Sequence, residues 1–203
     1  MRDNRGLTLV EVLITVVILS IVVAVAASFM VTGSKSFVKG NAEANLQKEA
    51  ELTANQIGDM IIDVNGGVDK TDDVGKTELV MYHETQDIGG TPKYIKETVV
   101  WYKSGDKMYY CKWNVTYDSA AGSYNEVADV TEQLLAENVS LFEVDLETAD
   151  ETASDGTTSE VVRSVRITVG YENSAGRVDY TTSPVITLRN RALLSKDPSE
   201  IFN

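Results

Sequence analysis

Hydrophobic positions along this chain fall into three successive regimes. From Val12 to Val31 the sequence VLITVVILSIVVAVAASFMV runs for twenty residues without a charge. Thirteen of them are Val, Leu, Ile or Phe, distributed round the whole turn of a helix. At 1.5 Å per residue such a helix spans about 30 Å, the thickness of a bilayer's hydrocarbon core. Its side chains favour insertion by about 4–8 kcal/mol on the translocon scale. A cleaved secretory signal fits poorly, because its apolar run is shorter and ends at a small-residue cleavage site followed by a turn. Here the run flows into a second regime that is still helical. Leu46, Ala50, Thr53, Ile57, Met60, Ile61 and Val64 recur at three- and four-residue steps, with Lys48, Glu49, Glu51 and Asp59 off the stripe. Asn65-Gly66-Gly67 stops it.

In the third regime, from Glu78 onward, the period shifts toward two. Leu79–His83, Tyr94–Tyr102 and Lys107–Trp113 are rich in β-branched and aromatic residues. Gly89-Gly90 and Ser104-Gly105-Asp106 separate them, the latter predicting a tight hairpin. Thr131–Asn138 reads as a short helical turn around Leu134 and Leu135. Phe142, Val144 and Leu146 alternate, as do Val165, Ile167, Val169 and Tyr171. Between Asp145 and Ser159 an acidic stretch of small residues reads as a solvated loop. A closing strand at about Arg177–Leu188 is interrupted by Pro184, which suits an edge or a bulge. The expected fold is α+β. One helix over 7–63, about 85 Å long, carries the membrane span at about 12–31 and an amphipathic half. That half packs on a mostly antiparallel β-rich head, 64–203.

One position in the greasy segment is out of place. Gly6-Leu7-Thr8-Leu9-Val10-Glu11 puts a carboxylate at the start of a membrane helix. A charge there costs about 2.5–3.5 kcal/mol at the bilayer centre, less near an edge, and calls for a cation. The string RGLTLVEVLITVVILS resembles the amino terminus of type IV pilins and type II secretion pseudopilins. That resemblance implies a leader at 1–6, cleavage between Gly6 and Leu7 by a prepilin peptidase, and N-methylation of Leu7. It also implies pairing of Glu11 with a new amino terminus during assembly, with Thr8 lending its hydroxyl. Leu7 stands where phenylalanine is usual, and the first proline is Pro92, so the helix lacks the membrane-span kink of many members. The stretches LLAENVSLFEVDL and VRSVRITVGY, with a last strand ending Thr187-Leu188-Arg189-Asn190-Arg191, are similar to W-type minor pilins and J-type minor pseudopilins. The implied partners are other pilin or pseudopilin subunits through the N-terminal helix, the peptidase, and membrane lipid. The implied location is the cell membrane, crossed once, with the head outside the cytoplasm, and then a periplasmic or extracellular filament. A competence-type pseudopilin for DNA uptake and a membrane-anchored binding or adhesin domain remain as rivals.

Charge and composition narrow the chemistry. Eighteen basic against 31 acidic residues leave a net charge of −13, and the bases are scattered, so no direct nucleic-acid binding is expected. Cys111 is the single cysteine, which leaves no intrachain disulfide and no Cys cluster for zinc. His83 is the single histidine, set in an alternating strand. Ser36-Phe37-Val38-Lys39 matches S-x-x-K without its companion motifs, and no phosphate-binding or hydrolase fingerprint is present. No catalysis and no cofactor are therefore expected. Asp145, Glu147, Asp150, Glu151 and Asp155 are weak candidates for calcium, as hard oxygen donors without the EF-hand spacing. Trp101, Tyr102, Tyr109, Tyr110 and Trp113 are expected to divide between core and cross-strand packing rather than to form a ligand face. Asn114-Val115-Thr116 and Asn138-Val139-Ser140 are glycosylation sequons.

Overall fold

The computed structural model describes residues 8–86, 92–118, 120–152, 156–173, 179–195 and 197–202. A single helix, α1, runs Leu9–Ile62. The chain divides into two compact units within it, Met1–Glu43 and Ala44–Asn203. In the first unit, every described residue before Ala42 is exposed. This includes Leu9, Phe29 and Met30, each more than 70% exposed. An apolar surface of that extent is not a water-facing one.

In the second unit, Leu46, Ala50, Thr53, Ala54, Ile57 and Ile61 of α1 are buried, the periodic stripe of the sequence with Ala54 added and Met60 only half-buried. They pack on one face of a nine-stranded sheet. Its strands are β1 (Gly67–Asp72), β2 (Lys76–Gln86), β3 (Pro92–Tyr102), β4 (Lys107–Asp118), β5 (Ser123–Glu137), β6 (Val139–Thr152), β7 (Thr158–Glu172), β8 (Asp179–Thr182) and β9 (Val185–Leu194). A four-residue helix, α2 (Pro198–Ile201), follows. The order is β5-β4-β3-β2-β1-β9-β7-β6, with β8 also paired to β7. Every pairing is antiparallel except β1 with β9, where Gly67 meets Leu193 and Val68 meets Leu194. The fold is α+β: a long N-terminal helix packed on a mostly antiparallel sheet, an arrangement characteristic of pilins.

Alternation sorts β2 cleanly. Leu79 and Met81 face α1 and the main core, whereas Val80 and Tyr82 face a second cluster with Val115, Tyr94, Tyr124, Ile201 and Phe202. Phe202 stacks on Tyr94 with ring centroids 4.0 Å apart, so the C-terminal segment covers the outer face there. It also passes so close to Gly67 that a Cβ would lie 2.5 Å from Ile201 Cδ1.

Three local expectations need correction. Thr131–Asn138 is not helical: Gln133, Leu134 and Ala136 pair with β4 in register with Tyr110, Tyr109 and Met108. Positive φ at Glu132 (50°) and Asn138 (60°) gives the bulge and the turn that bound this end of β5. The acidic stretch is not a long loop either. The β6 and β7 strands extend through it as a hairpin, with Asp150 opposite Glu160 and Thr152 opposite Thr158. β-Branched threonines sustain the pairing while the acids sit on an edge strand, where solvent reaches them. The closing strand is two strands, because Pro184 has no N–H to donate. It reaches Leu194 rather than Leu188. β1 lacks apolar alternation and was not expected from the sequence. The hairpin at Ser104-Gly105-Asp106 forms, with Tyr102 opposite Lys107, whereas Gly89-Gly90 lies outside the described residues.

Candidate functional site

The start of α1 is held by a reciprocal pair. Thr8 donates its backbone N–H to Glu11 Oε2 at 2.9 Å and its hydroxyl to the same oxygen at 3.0 Å. Glu11 returns its own N–H to Thr8 Oγ1 at 3.3 Å. This is a capping box, which satisfies amides that a helix start leaves without intrahelical partners. The Thr8-x-x-Glu11 spacing before an apolar run is its sequence signature. Attention to Glu11 as a lone membrane acid overlooks this signal. The carboxylate is thus fixed on its own helix end by Thr8, one of the two residues expected to act together there. Gly6 and Leu7, the expected cleavage and methylation positions, lie outside the described residues.

Downstream, the helix suits a medium without water. Thr15 Oγ1 donates to the Glu11 carbonyl and Ser20 Oγ to the Val16 carbonyl, both at 2.7 Å, so these two hydroxyls of the apolar run are satisfied inside the helix. An 18-residue window of α1 has a mean hydropathy of 2.9, with none of it buried within the chain. This is one helix long and apolar enough to cross a membrane.

The other candidates disperse. Asp145 Oδ1 lies 3.7 Å from Lys70 Nζ, and Glu147 Oε2 accepts from Ser164 Oγ at 2.6 Å. Glu151 accepts from Arg191 Nε at 2.7 Å and from Arg163 Nη2 at 3.1 Å. These bonds, that from Arg191 foremost, hold its carboxyl below the usual range. Asp150 has the opposite strand parity to these three, and Asp155 lies outside the described residues. Among the described residues no group of three or more His, Cys, Asp or Glu side chains is placed to hold a metal ion.

His83 Nε2 sits 3.2 Å from Glu97 Oε2, at ion-pair distance but off the line of a good hydrogen bond. Tyr110 donates to the other oxygen of Glu97 at 2.6 Å. The five aromatic candidates split across the sheet. Trp101 is buried in the main core and donates to the Val139 carbonyl, while Tyr102 and Tyr109 meet edge to face at 5.7 Å. Cys111 is buried and accepts the Glu132 N–H at 3.4 Å. Ser36 and Lys39 are exposed on α1, where Lys39 lies 3.7 Å from Glu43.

Comparison with known proteins finds a family model at the amino terminus. The prokaryotic N-terminal methylation motif matches residues 1–27. No curated protein and no solved structure matched. The matched stretch takes in Gly6, Leu7, the Thr8–Glu11 box and most of the apolar run. Together with the pilin-like helix-on-sheet fold, it makes this chain's amino terminus similar to those of type IV pilins and pseudopilins.

Proposed function

We propose that the chain is a minor subunit, or an assembly initiator, of a type IV pilus or a type II secretion-like pseudopilus. The methylation motif carries this reading, with Glu11 placed five residues after Gly6. In this reading residues 1–6 are a leader, removed by a prepilin peptidase between Gly6 and Leu7, and Leu7 is then methylated. The chain waits in the membrane on α1 with its head outside the cytoplasm, then packs helix to helix with other subunits into a filament. Its work is structural, and it carries out no reaction of its own. The W- or J-like character of the C-terminal half supports a minor rather than a principal subunit.

Glu11 supplies the logic of assembly. A carboxylate in lipid demands a cation, and cleavage after Gly6 creates one at the α-amino group of Leu7. The bonds from Thr8 to Oε2 hold the carboxylate at the helix end. There it meets the amino terminus of its own chain or of a neighbour, so that assembly waits on processing. Glu11→Val should therefore insert and be cleaved nearly normally, yet enter filaments poorly. Immunoblots of sheared filaments beside membranes test this. Normal incorporation of the variant would remove the acid from assembly.

A further inference from the structure

Beside the packed stripe of α1, a groove of about 460 Å³ runs between the helix and the end of β5. Its floor includes a buried hydrogen bond of 2.7 Å between Thr53 Oγ1 and Tyr171 Oη. Leu52 lines it from the helix and Leu134 from the strand, 58% and 47% exposed respectively. Leu52 and Leu134 are two large aliphatic side chains left in solvent along one groove, which Gln56 and Asn138 also line. The charged residues that line it are Glu49 and Glu137, and no base does so among the described residues. Glu137 is partly neutralised by Lys107 at 3.2 Å, which leaves Glu49 as the principal charge on the helix side. Glu49 also bears on Tyr171, whose phenol is pushed up mainly by burial and further by that carboxylate.

We propose that this groove docks an apolar side chain flanked by Lys or Arg on a segment of a different filament subunit. The charges choose the occupant. A second copy would bring another −13 to an acidic rim, and like charges at an interface oppose association. A basic neighbour gains from Glu49 while its apolar side chain covers Leu52 and Leu134. The inference rests on the reading of the chain as a filament subunit and names a partner chemistry for its head.

Site-specific photocrosslinking on the full-length chain in its native cells tests it. p-Benzoylphenylalanine in place of Leu134 should give an adduct with another polypeptide, and the joined peptide should carry Lys or Arg beside an apolar residue. The same probe in place of Val127, also exposed on β5, should not give that adduct. Adding Glu49→Lys should lower the yield from Leu134 about tenfold, whereas Glu49→Asp should keep it. Both are substitutions at an exposed helix position, and protease resistance of the head verifies the fold. An adduct with a second copy, a joined peptide without a base, an unchanged yield in Glu49→Lys, or no adduct would overturn the proposal. Filament incorporation without the adduct removes the groove alone. The adduct formed in membranes by a chain that never enters filaments removes the filament reading and leaves the groove.

Discussion

At the scale of single residues, two positions carry separable predictions. In the proposed processing, a peptidase at the membrane surface needs a residue without a side chain beside the scissile bond, so Gly6→Val should leave the leader attached. In the protein with Gly6 intact, the proposed processing should remove Arg2, Arg5 and Asp3, two positive charges and one negative, and take the net charge from −13 to −14. Intact mass shows both, and a Met1 terminus on wild-type protein in filaments would sink the cleavage step. Glu97 contributes to acid stability instead. Burial pushes its carboxyl up, but the contacts with His83 and Tyr110 outweigh burial and hold it below its ordinary 4.5. A carboxyl depressed by folding gives stability that is complete above the unfolded value and is lost as pH falls through the folded one. Glu97→Gln should therefore flatten the loss of stability below about pH 4.5. Urea midpoints at pH 6, 4.5 and 3.5 measure it, and parallel curves for the two proteins would refute it.

At the scale of elements, the helix was far more legible than the sheet. Ile57 is fully buried on α1, whereas Leu52, five residues earlier, is 58% exposed. Ile57→Ala should cost about 2–5 kcal/mol and Leu52→Ala no more than about 0.5 kcal/mol. Denaturant titration compares them, and equal costs would contradict the packing of that stripe. A period of three to four residues was enough to find the stripe, because each turn of α1 from Leu46 onward meets the same sheet face. The strands depend on partners far away in sequence. β1 reads GVDKTD, too polar to announce itself, and is a strand because β2 and β9 flank it. Leu134 and Leu135 have good helix propensity, yet β4 offers their backbone a ladder, and pairing overrides propensity. The acids of β6 suggested a loop because charge was read without the threonines between them. At the candidate site, the motif residues could be read directly, but the groove beside α1 joins positions some eighty apart that no local pattern links.

At the scale of the whole molecule, the main core and the outer aromatic cluster draw on residues from Leu46 onward. A fragment beginning at Lys35 should thus be soluble and cooperatively folded without detergent. Circular dichroism and a single sharp denaturation midpoint check it; an insoluble or molten fragment would contradict a self-sufficient head. The parallel joint between β1 and β9 sets a timetable for making the protein. Gly67 and its partner Leu193 are 126 positions apart. At the usual pace of synthesis, 5–20 residues per second, β1 waits roughly 6–25 s for its partner strand to be made. The apolar run, completed before β1, meets no such delay, since a single helix forms within about a microsecond. The anchor can therefore be seated while the head is still a nascent chain, and closing the sheet is among the last events in the protein's birth.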